Sequence, residues 1–307
     1  MVDQAYLQQI LEQLVTEHRE AHHLGKIAAY IPELGKGDPS LAGIALWGPE
    51  GLTSAGDSQV LFTLQSISKI ITLMVVLRDR GEEEVFSRVG PEPTGDPFNS
   101  IVKLETSERR PLNPMINAGA IAVCGMLEGS TVEERFSRVI RLLEEILGRK
   151  VTIDEGVYQS EKATGHRNRS LAYFLKDTGV LDGDVEEVVD LYFRQCSILV
   201  TCEELARIGL FLASKGVTME GKRLLPRGIV RLVTTFMVTC GMYNASGEFA
   251  IQVGIPAKSG VAGGILAVVP DKFGLGTFGP ALDAKGNSVV GVRMLRDLSR
   301  KLDLSIF

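Results

Sequence analysis

The longest hydrophobic stretch of the chain runs from Ile67 to Leu77 and directly follows Ser66. Its apolar side chains cover nearly every face of a helix, and this pattern predicts a helix buried in the middle of the protein. The charged segment 78–84 ends the stretch, and Gly81 within it supplies a stop signal.

Hydrophobic periodicity divides the rest of the chain into a helical middle and a β-rich end. Helices are predicted at 3–23, 114–126, 131–147, 153–164, 171–178, 185–195, 201–214 and 227–239. Strands are predicted at 41–47, 248–254, 264–269, 274–278 and 288–293. Residues 53–59 are interpreted as a polar connection, 85–115 as an irregular loop and 292–302 as a final helix.

Strands near both ends of the chain, with helices between them, indicate an α+β fold. Short turns make the C-terminal strands antiparallel. We expect an antiparallel sheet flanked by helices in residues 1–65 plus 241–307, and an inserted, mainly helical domain at 66–240. An active site is expected at the interface of the two parts.

Composition argues against several classes of function. The chain has 307 residues, 45% of them hydrophobic, and a formal net charge of −5, so nothing favours nucleic acid as a partner. The hydrophobic stretch is too short and too polar for a membrane span, and the N-terminus lacks a secretion signal. Four cysteines without CxxC spacing indicate buried free thiols, and a cytoplasmic location is expected.

Three motifs are interpreted as structural. Gly274–Gly279 matches G-x-G-x-x-G, but turn residues follow where a dinucleotide site needs a helix. Gly216–Arg223 resembles a P-loop but ends in arginine where serine or threonine should bind magnesium. His18, His22 and His23 are assigned to a solvated face of the first helix, so no metal site is predicted.

Ser66 and Lys69 form an S-x-x-K pair at the head of the buried helix. Residues three apart lie on one helix face, so the lysine can reach the serine hydroxyl. Burial lowers the pKa of a lysine, and a neutral amine beside a serine is a base beside a nucleophile. Taken alone, the pair fits a plain helix start equally well. A second S-x-x-K, Ser100–Lys103, is interpreted as surface loop.

Two later segments favour the catalytic interpretation. Tyr243 offers a phenol that can pass a proton, and Lys258-Ser259-Gly260 lies between two predicted strands. An S-x-x-K on a buried helix followed by K-[ST]-G on a strand resembles the serine β-lactamase and penicillin-binding fold.

Within that fold, the chain resembles the serine-dependent glutaminases over almost its whole length. The motifs that carry the resemblance are Tyr30-Ile-Pro-Glu-Leu34, Leu64-Gln-Ser-Ile-Ser-Lys69, Asn113-Pro-Met-Ile-Asn-Ala-Gly119, Tyr158-Gln-Ser-Glu-Lys-Ala-Thr-Gly-His-Arg-Asn-Arg169, Tyr192, Gly241-Met-Tyr243 and Lys258-Ser-Gly-Val-Ala-Gly-Gly264. The resemblance implies hydrolysis of L-glutamine to L-glutamate and ammonia through a glutamyl-serine acyl-enzyme, with no metal or organic cofactor. It also suggests a homodimer or homotetramer.

The resemblance also implies roles for individual residues. Ser66 is the nucleophile, Lys69 is its base and Tyr243 relays a proton, while N–H groups of Ser66 and Val261 form the oxyanion hole. The residues implied to bind the substrate are Tyr30, Gln65, Ser66, Asn117, Glu161, Asn168, Tyr192, Tyr243 and Val261. Lys258, Ser259 and Gly260 are expected to support the site.

The residue types suit a free amino acid. Glu161 is the natural partner of an α-ammonium, although by itself it would be interpreted as a solvated helix charge, and Asn168 as a turn or cap residue. His166 receives no role, and Arg167 receives only structural pairing of its loop. The side chains expected to bind the α-carboxylate without a full countercharge are Asn117, Asn168, Tyr30 and Tyr192.

Two alternatives stay open. One is another enzyme of the fold, such as a β-lactamase, an esterase or a D-alanyl-D-alanine peptidase, although those acting on cell wall are exported. The other is a catalytically silent binding domain, against which the intact Ser66, Lys69, Tyr243 and Lys258 argue. Assays of ammonia release from glutamine and of nitrocefin hydrolysis discriminate between them.

Overall fold

A computed structural model describes residues 3–95, 97, 99–100 and 110–307. Their strand order in the main sheet is β2-β1-β7-β6-β5, and every neighbouring pair is antiparallel. A separate two-stranded pair joins β3 to β4. The strands are β1 (Gly43–Gly48), β2 (Gly51–Gly56), β3 (Phe62–Thr63), β4 (Leu199–Val200), β5 (Ala257–Ser259), β6 (Gly264–Val269) and β7 (Phe273–Phe278).

Most helices of the described residues lie between positions 66 and 240, as predicted. Together with the antiparallel sheet, they confirm the α+β class. The helices are α1 (Gln4–His18), α2 (Ser68–Arg88), α3 (Asn117–Gly125), α4 (Val132–Leu147), α5 (Glu155–Thr164), α6 (His166–Asp177), α7 (Val185–Cys196), α8 (Cys202–Ala213), α9 (Arg227–Cys240), α10 (Ser246–Gln252) and α11 (Val289–Leu302).

The sheet separates two hydrophobic cores. Ile44 and Leu46 of β1 pack with α1 and α11, whereas Ala45 between them joins the larger core of the helical middle. Ala267 and Leu266 of β6 divide in the same way. Because successive side chains of a strand point to opposite faces, each strand contributes to both cores.

Helix α2 lies in the larger core, and every residue from Ser68 to Leu77 is buried. This confirms the prediction of a buried central helix. Gly81 interrupts the helix with a φ of 82°, a left-handed conformation that glycine adopts without strain. The predicted end at 78–84 is too early, because helical structure resumes beyond Gly81 and reaches Arg88.

The prediction of a strand at 248–254 is wrong, because these residues lie in and just after α10. Phe249 and Val253 are buried four positions apart, and Ile251 between them is 88% exposed. The alternating pattern therefore coincides with one face of a helix.

The prediction of a strand at 288–293 is also wrong, because α11 begins there. Ser288 caps the helix by accepting a hydrogen bond from the Gly291 N–H, and Val290 and Met294 are buried one turn apart. The β-branched residues favoured a strand, but packing of a capped amphipathic helix on the sheet overrides that weak preference.

Two further interpretations need correction. Residues 53–59 are not simply a polar connection, because β2 ends at Gly56 and buries Thr53 and Ala55 as an edge strand beside α1. His18 does not lie on a solvated face, because it is buried and its Nε2 is 2.8 Å from Asp297 Oδ2.

The described residues also bear on the expected thiols and membrane contacts. All four cysteines are buried and free, as predicted. Among the described helices, none combines the length and the hydrophobicity that a membrane crossing needs. Residues 101–103 of the second S-x-x-K lie outside the described residues.

Glycines bring α8 into direct backbone contact with β7. A Cβ atom on Gly274 would lie 2.0 Å from the Ala206 carbonyl oxygen, and one on Gly276 would lie 2.2 Å from the Cys202 oxygen. The first two glycines of the G-x-G-x-x-G motif are therefore explained by close helix–sheet packing.

Replacing Gly274 with alanine should destabilise the protein by about 3 kcal/mol, because backbone atoms cannot move aside for the new methyl group. Gly228→Ala is the matched control. Gly228 lies in the first turn of α9, and a Cβ atom added there would meet no atom within 4 Å, so alanine should be neutral or stabilise by up to ~1 kcal/mol. Urea unfolding measures both, and equal stabilities of the two variants would contradict the close-packing argument.

Candidate active site

A cavity of about 120 Å³ lies where the helical middle meets the sheet. Eight of the residues predicted for the site line it. A larger cavity of about 670 Å³ around Arg78 and Arg149 contains none of them. The lining residues are Tyr30, Ile31, Gln65, Ser66, Asn99, Asn117, Glu161, Thr164, Gly165, Arg167, Asn168, Tyr192, Cys196 and Val261.

Ser66 lies in a single 3₁₀ turn, Gln65–Ile67, that immediately precedes α2. Ser66 is 6% exposed. The preceding Gln65 has a φ of 48°, which a side chain other than glycine rarely adopts and which commonly marks a functional site. Gly260 of the K-S-G segment packs closely against this turn, since a Cβ atom on Gly260 would lie 2.6 Å from the Leu64 carbonyl oxygen.

Lys69 follows the serine by three positions, in the first turn of α2, and is 2% exposed. Its Nζ donates hydrogen bonds to the Met115 carbonyl at 3.0 Å and to Asn117 Oδ1 at 2.7 Å. Burial lowers the pKa of the amine to about 8, although nearby thiols and Glu161 oppose the shift. A fraction of the amine is therefore neutral near physiological pH and able to accept a proton.

Asn117 connects the lysine to two more predicted residues. Its Nδ2 donates to Asn168 Oδ1 at 3.0 Å, and its Oδ1 accepts from the Tyr192 hydroxyl at 3.2 Å. The four side chains come from α2, α3, α6 and α7. The network thereby fixes these four side chains relative to one another.

Tyr243 approaches Ser66 from the sheet side. Its phenol is hydrogen-bonded with the Ser66 hydroxyl and donates to the Ser259 carbonyl at 3.1 Å. Burial raises the pKa of this phenol, and the side chains of Ser66 and Ser259 oppose the rise. Tyr243 has a φ of 55°, so two non-glycine residues of the site, Gln65 and Tyr243, have left-handed backbone.

Lys258 supports Tyr243 from below. Its Nζ donates to the same Ser259 carbonyl at 2.6 Å and lies 4.5 Å from the centroid of the Tyr243 ring. The side chain is completely buried, and burial together with Lys69 holds the pKa of Lys258 well below its usual range. These contacts fix the tyrosine ring against β5.

Glu161 is the one carboxylate among the described lining residues of the cavity. It is 6% exposed and accepts a hydrogen bond from Gln65 Nε2 at 2.9 Å. Burial raises its pKa to about 7, against the effects of the Gln65 hydrogen bond and Lys69. A ligand that brings a positive charge would supply the partner that this buried carboxylate lacks.

Asp190 joins the helix that carries Glu161 to the helix that carries Tyr192. It accepts hydrogen bonds from Tyr158 and Lys162 of α5, the latter at 2.8 Å, and from Arg194 Nε of its own helix at 2.7 Å. Burial opposes ionisation, but these donors outweigh it and lower the pKa of Asp190. We name this group the Asp190 hub.

Sequence reasoning did not find every lining residue. Cys196 lies four positions after Tyr192 on α7, so the helical period alone could have placed both at the cavity. Asn99 and Ile31 come from irregular segments, whose position no periodic signal predicts. Arg167 was left without a substrate role, although it also lines the cavity.

The fold and the site together define a class. An antiparallel sheet, a serine followed by lysine on a buried helix, and a K-S-G strand against them are the features of a β-lactamase-like protein. Within this class, a family model described as Glutaminase matches residues 25–307. This chain belongs to the glutaminase family.

Individual relatives agree. A glutaminase from Clostridium botulinum (strain Hall) is 53% identical over 307 residues, which cover 98% of this chain and 100% of the relative. A glutaminase from Geobacillus thermodenitrificans is 55% identical over 306 residues, which cover 98% and 99%. A solved structure of a Bacillus subtilis glutaminase is 38% identical to this chain and superposes with a TM-score of 0.89, covering 98% of this chain and 99% of that one. That structure is a covalent complex with 5-oxo-L-norleucine, formed by reaction with 6-diazo-5-oxo-L-norleucine.

Asp190→Ala should destabilise the protein by about 3 kcal/mol, because it leaves the buried Tyr158 and the half-buried Arg194 without their common partner. Asp182→Ala is the control, since its ion pair with Arg88 is largely exposed and should contribute less than ~1 kcal/mol. Urea unfolding of both variants tests this, and a loss at Asp190 no larger than at Asp182 would refute the role of the hub.

Proposed function

We propose that this chain hydrolyses L-glutamine to L-glutamate and ammonia through a glutamyl ester on Ser66. Membership of the glutaminase family supports the reaction. The observation that carries the mechanism is a cavity lined by Ser66, by the buried carboxylate of Glu161 and by Asn117, which binds the buried Lys69 amine, with the Tyr243 phenol beside Ser66. In the related Bacillus subtilis structure, the covalent complex with a diazo-ketone analogue is in keeping with a nucleophile.

Binding begins with the charges of the free amino acid. The α-ammonium pairs with the ionised Glu161, whose hydrogen-bond donor Gln65 carries no charge. The α-carboxylate is held by the amides and hydroxyls proposed for it, namely Asn117, Asn168, Tyr30 and Tyr192. The side-chain amide then extends towards Ser66.

In the first chemical step, the Ser66 hydroxyl attacks the side-chain carbonyl carbon, and neutral Lys69 takes its proton. Backbone N–H groups of Ser66 and Val261 stabilise the oxyanion, a device whose loss typically costs ~3–4 kcal/mol. Tyr243 donates its phenolic proton to the departing nitrogen, and ammonia leaves. Lys69 returns the proton to the tyrosine, so the ester forms with both groups neutral.

In the second step, water attacks the ester carbonyl and gives up a proton to the same pair of groups. The ester bond breaks, Ser66 is reprotonated and L-glutamate leaves. Lys258, Ser259 and Gly260 are proposed to support the site by holding Tyr243 and the Ser66 turn. One proton leaves with ammonia, and attack by water restores it to the residues of the site.

Several expectations stay predictions. They are self-association into a homodimer or homotetramer, a cytoplasmic location, the division into residues 1–65 plus 241–307 and residues 66–240, and the absence of metal and cofactor.

The nucleophile is tested by labelling with 6-diazo-5-oxo-L-norleucine and mapping the adduct by mass spectrometry. We expect one adduct on Ser66, none in Ser66→Ala, and undiminished labelling in the control Cys240→Ala. Glutamine hydrolysis should fall by at least about 10⁴-fold in Ser66→Ala, with nitrocefin turnover absent throughout. An adduct on Cys240, Cys196 or Ser259 would reject the assignment.

The base is tested by the pH dependence of kcat/KM. Lys69 must be neutral to accept a proton, so the rate should rise with pH through the pKa of about 8 and fall again where the α-ammonium of the substrate loses its proton. Ionisation of Glu161, with a pKa of about 7, adds a rising limb at lower pH. Lys69→Arg keeps the charge but cannot lose the proton, and should retain less than about a tenth of kcat while the protein is still folded. A retained rate above that value would exclude Lys69 as the base.

A further inference from the structure

Two charged residues, Glu161 and Arg167, stand among the described residues that line the cavity. We infer that Arg167 recognises the α-carboxylate of the substrate and thereby determines specificity for a free amino acid with both charges. This inference rests on the proposed function and deepens it, because the neutral amides and hydroxyls then act beside a full positive charge.

Two helix ends of opposite partial charge meet beside Arg167. Helix α5 ends at Thr164, α6 begins at His166, and Gly165 forms the break between them. A side chain does not fit at the break, since a Cβ on Gly165 would lie 2.2 Å from Phe193 Cζ and 2.7 Å from the Glu161 carbonyl oxygen. The cavity therefore lies at the C-terminus of one helix and the N-terminus of the next.

These two helix ends have opposite partial charges, which suit the two groups of an α-amino acid. The C-terminal end of α5 favours an ammonium, and Glu161 lies there. At the start of α6, the first intrahelical hydrogen bond is donated by the Arg169 N–H to Gly165, so the preceding amides are not used within the helix. This first turn has no acidic residue and no side-chain cap, which leaves its positive end for an anion.

Contacts of the guanidinium distinguish Arg167 from its neighbours. Its Nε donates to the Asn99 carbonyl at 3.1 Å, and no carboxylate of the described residues lies within ion-pair distance. Arg169, two positions along the same helix, instead pairs with Glu186 at 3.1 Å and lies over the Phe193 ring. Arg169 is therefore held in an ion pair, whereas Arg167 places its charge on the exposed side of the cavity.

Substrates that lack one charge test the inference. Glutaminamide replaces the α-carboxylate with a neutral amide, and N-acetylglutamine removes the α-ammonium. Arg167→Gln should lower kcat/KM for glutamine roughly tenfold and for glutaminamide less than about twofold. Arg167→Lys should keep most of the activity on glutamine, and the loss in Arg167→Gln should shrink at high salt because the residue is exposed.

Two controls exclude a structural explanation. Arg169→Gln removes an arginine from the same helix and should change both substrates equally. Glu161→Gln should give the reverse selectivity, with a large loss on glutamine and a small loss on N-acetylglutamine. Equal losses on glutamine and glutaminamide in Arg167→Gln, or no loss on glutamine, would overturn the inference.

Calorimetric binding separates recognition from turnover. Arg167→Gln should weaken L-glutamate roughly tenfold and leave isoglutamine, the α-amide of glutamate, unchanged within about twofold. This pattern would support the inference even if the wild-type protein released no ammonia from glutamine, a result that would reject the proposed function alone. Equal weakening of both ligands would reject the inference even in an active enzyme.

Discussion

Burial of the Lys69 amine is the constraint on which the arrangement of the site depends. A polar group in an apolar interior is tolerated only with hydrogen-bond partners, which here are the Met115 carbonyl and the Asn117 amide. Asn117 is itself hydrogen-bonded to Asn168 and Tyr192. The hydrogen bonds that the buried amine requires therefore hold α2, α3, α6 and α7 in place relative to one another. The same burial that demands these partners lowers the pKa of the amine and makes it useful as a base.

Two strained residues complete the site from opposite sides of that network. Gln65 and Tyr243 both have left-handed backbone, a conformation that costs of order 1–3 kcal/mol for residues other than glycine. Each is held by contacts that reach across the chain, Gln65 by Glu161 and Tyr243 by the Ser259 carbonyl. The strain is thus maintained by the folded structure as a whole, and it points the serine and the phenol at each other.

Local signals explain which features the sequence could predict. Helix α2, the glycine interruption at Gly81 and the S-x-x-K pair are encoded within a few residues, and the fold class follows from the order of elements. The strands predicted at 248–254 and 288–293 fail because short β-branched segments carry a helical face equally well. The resemblance assigns roles to eight residues that line the cavity. The Asp190 hub and the charge of Arg167 depend instead on contacts between distant helices and on a helix break, which no local pattern reveals.

The backbone contact between α8 and β7 limits how this protein can move. Interfaces padded by flexible side chains can slide by small amounts, whereas Gly274 and Gly276 place main-chain atoms of the sheet directly against the helix. Helix α8 also packs on α4. The close contact between α8 and β7 therefore connects the sheet rigidly to the helical middle. The contact therefore opposes sliding of α8 along the sheet, and Tyr30, which is 60% exposed, marks the side of the cavity that faces solvent.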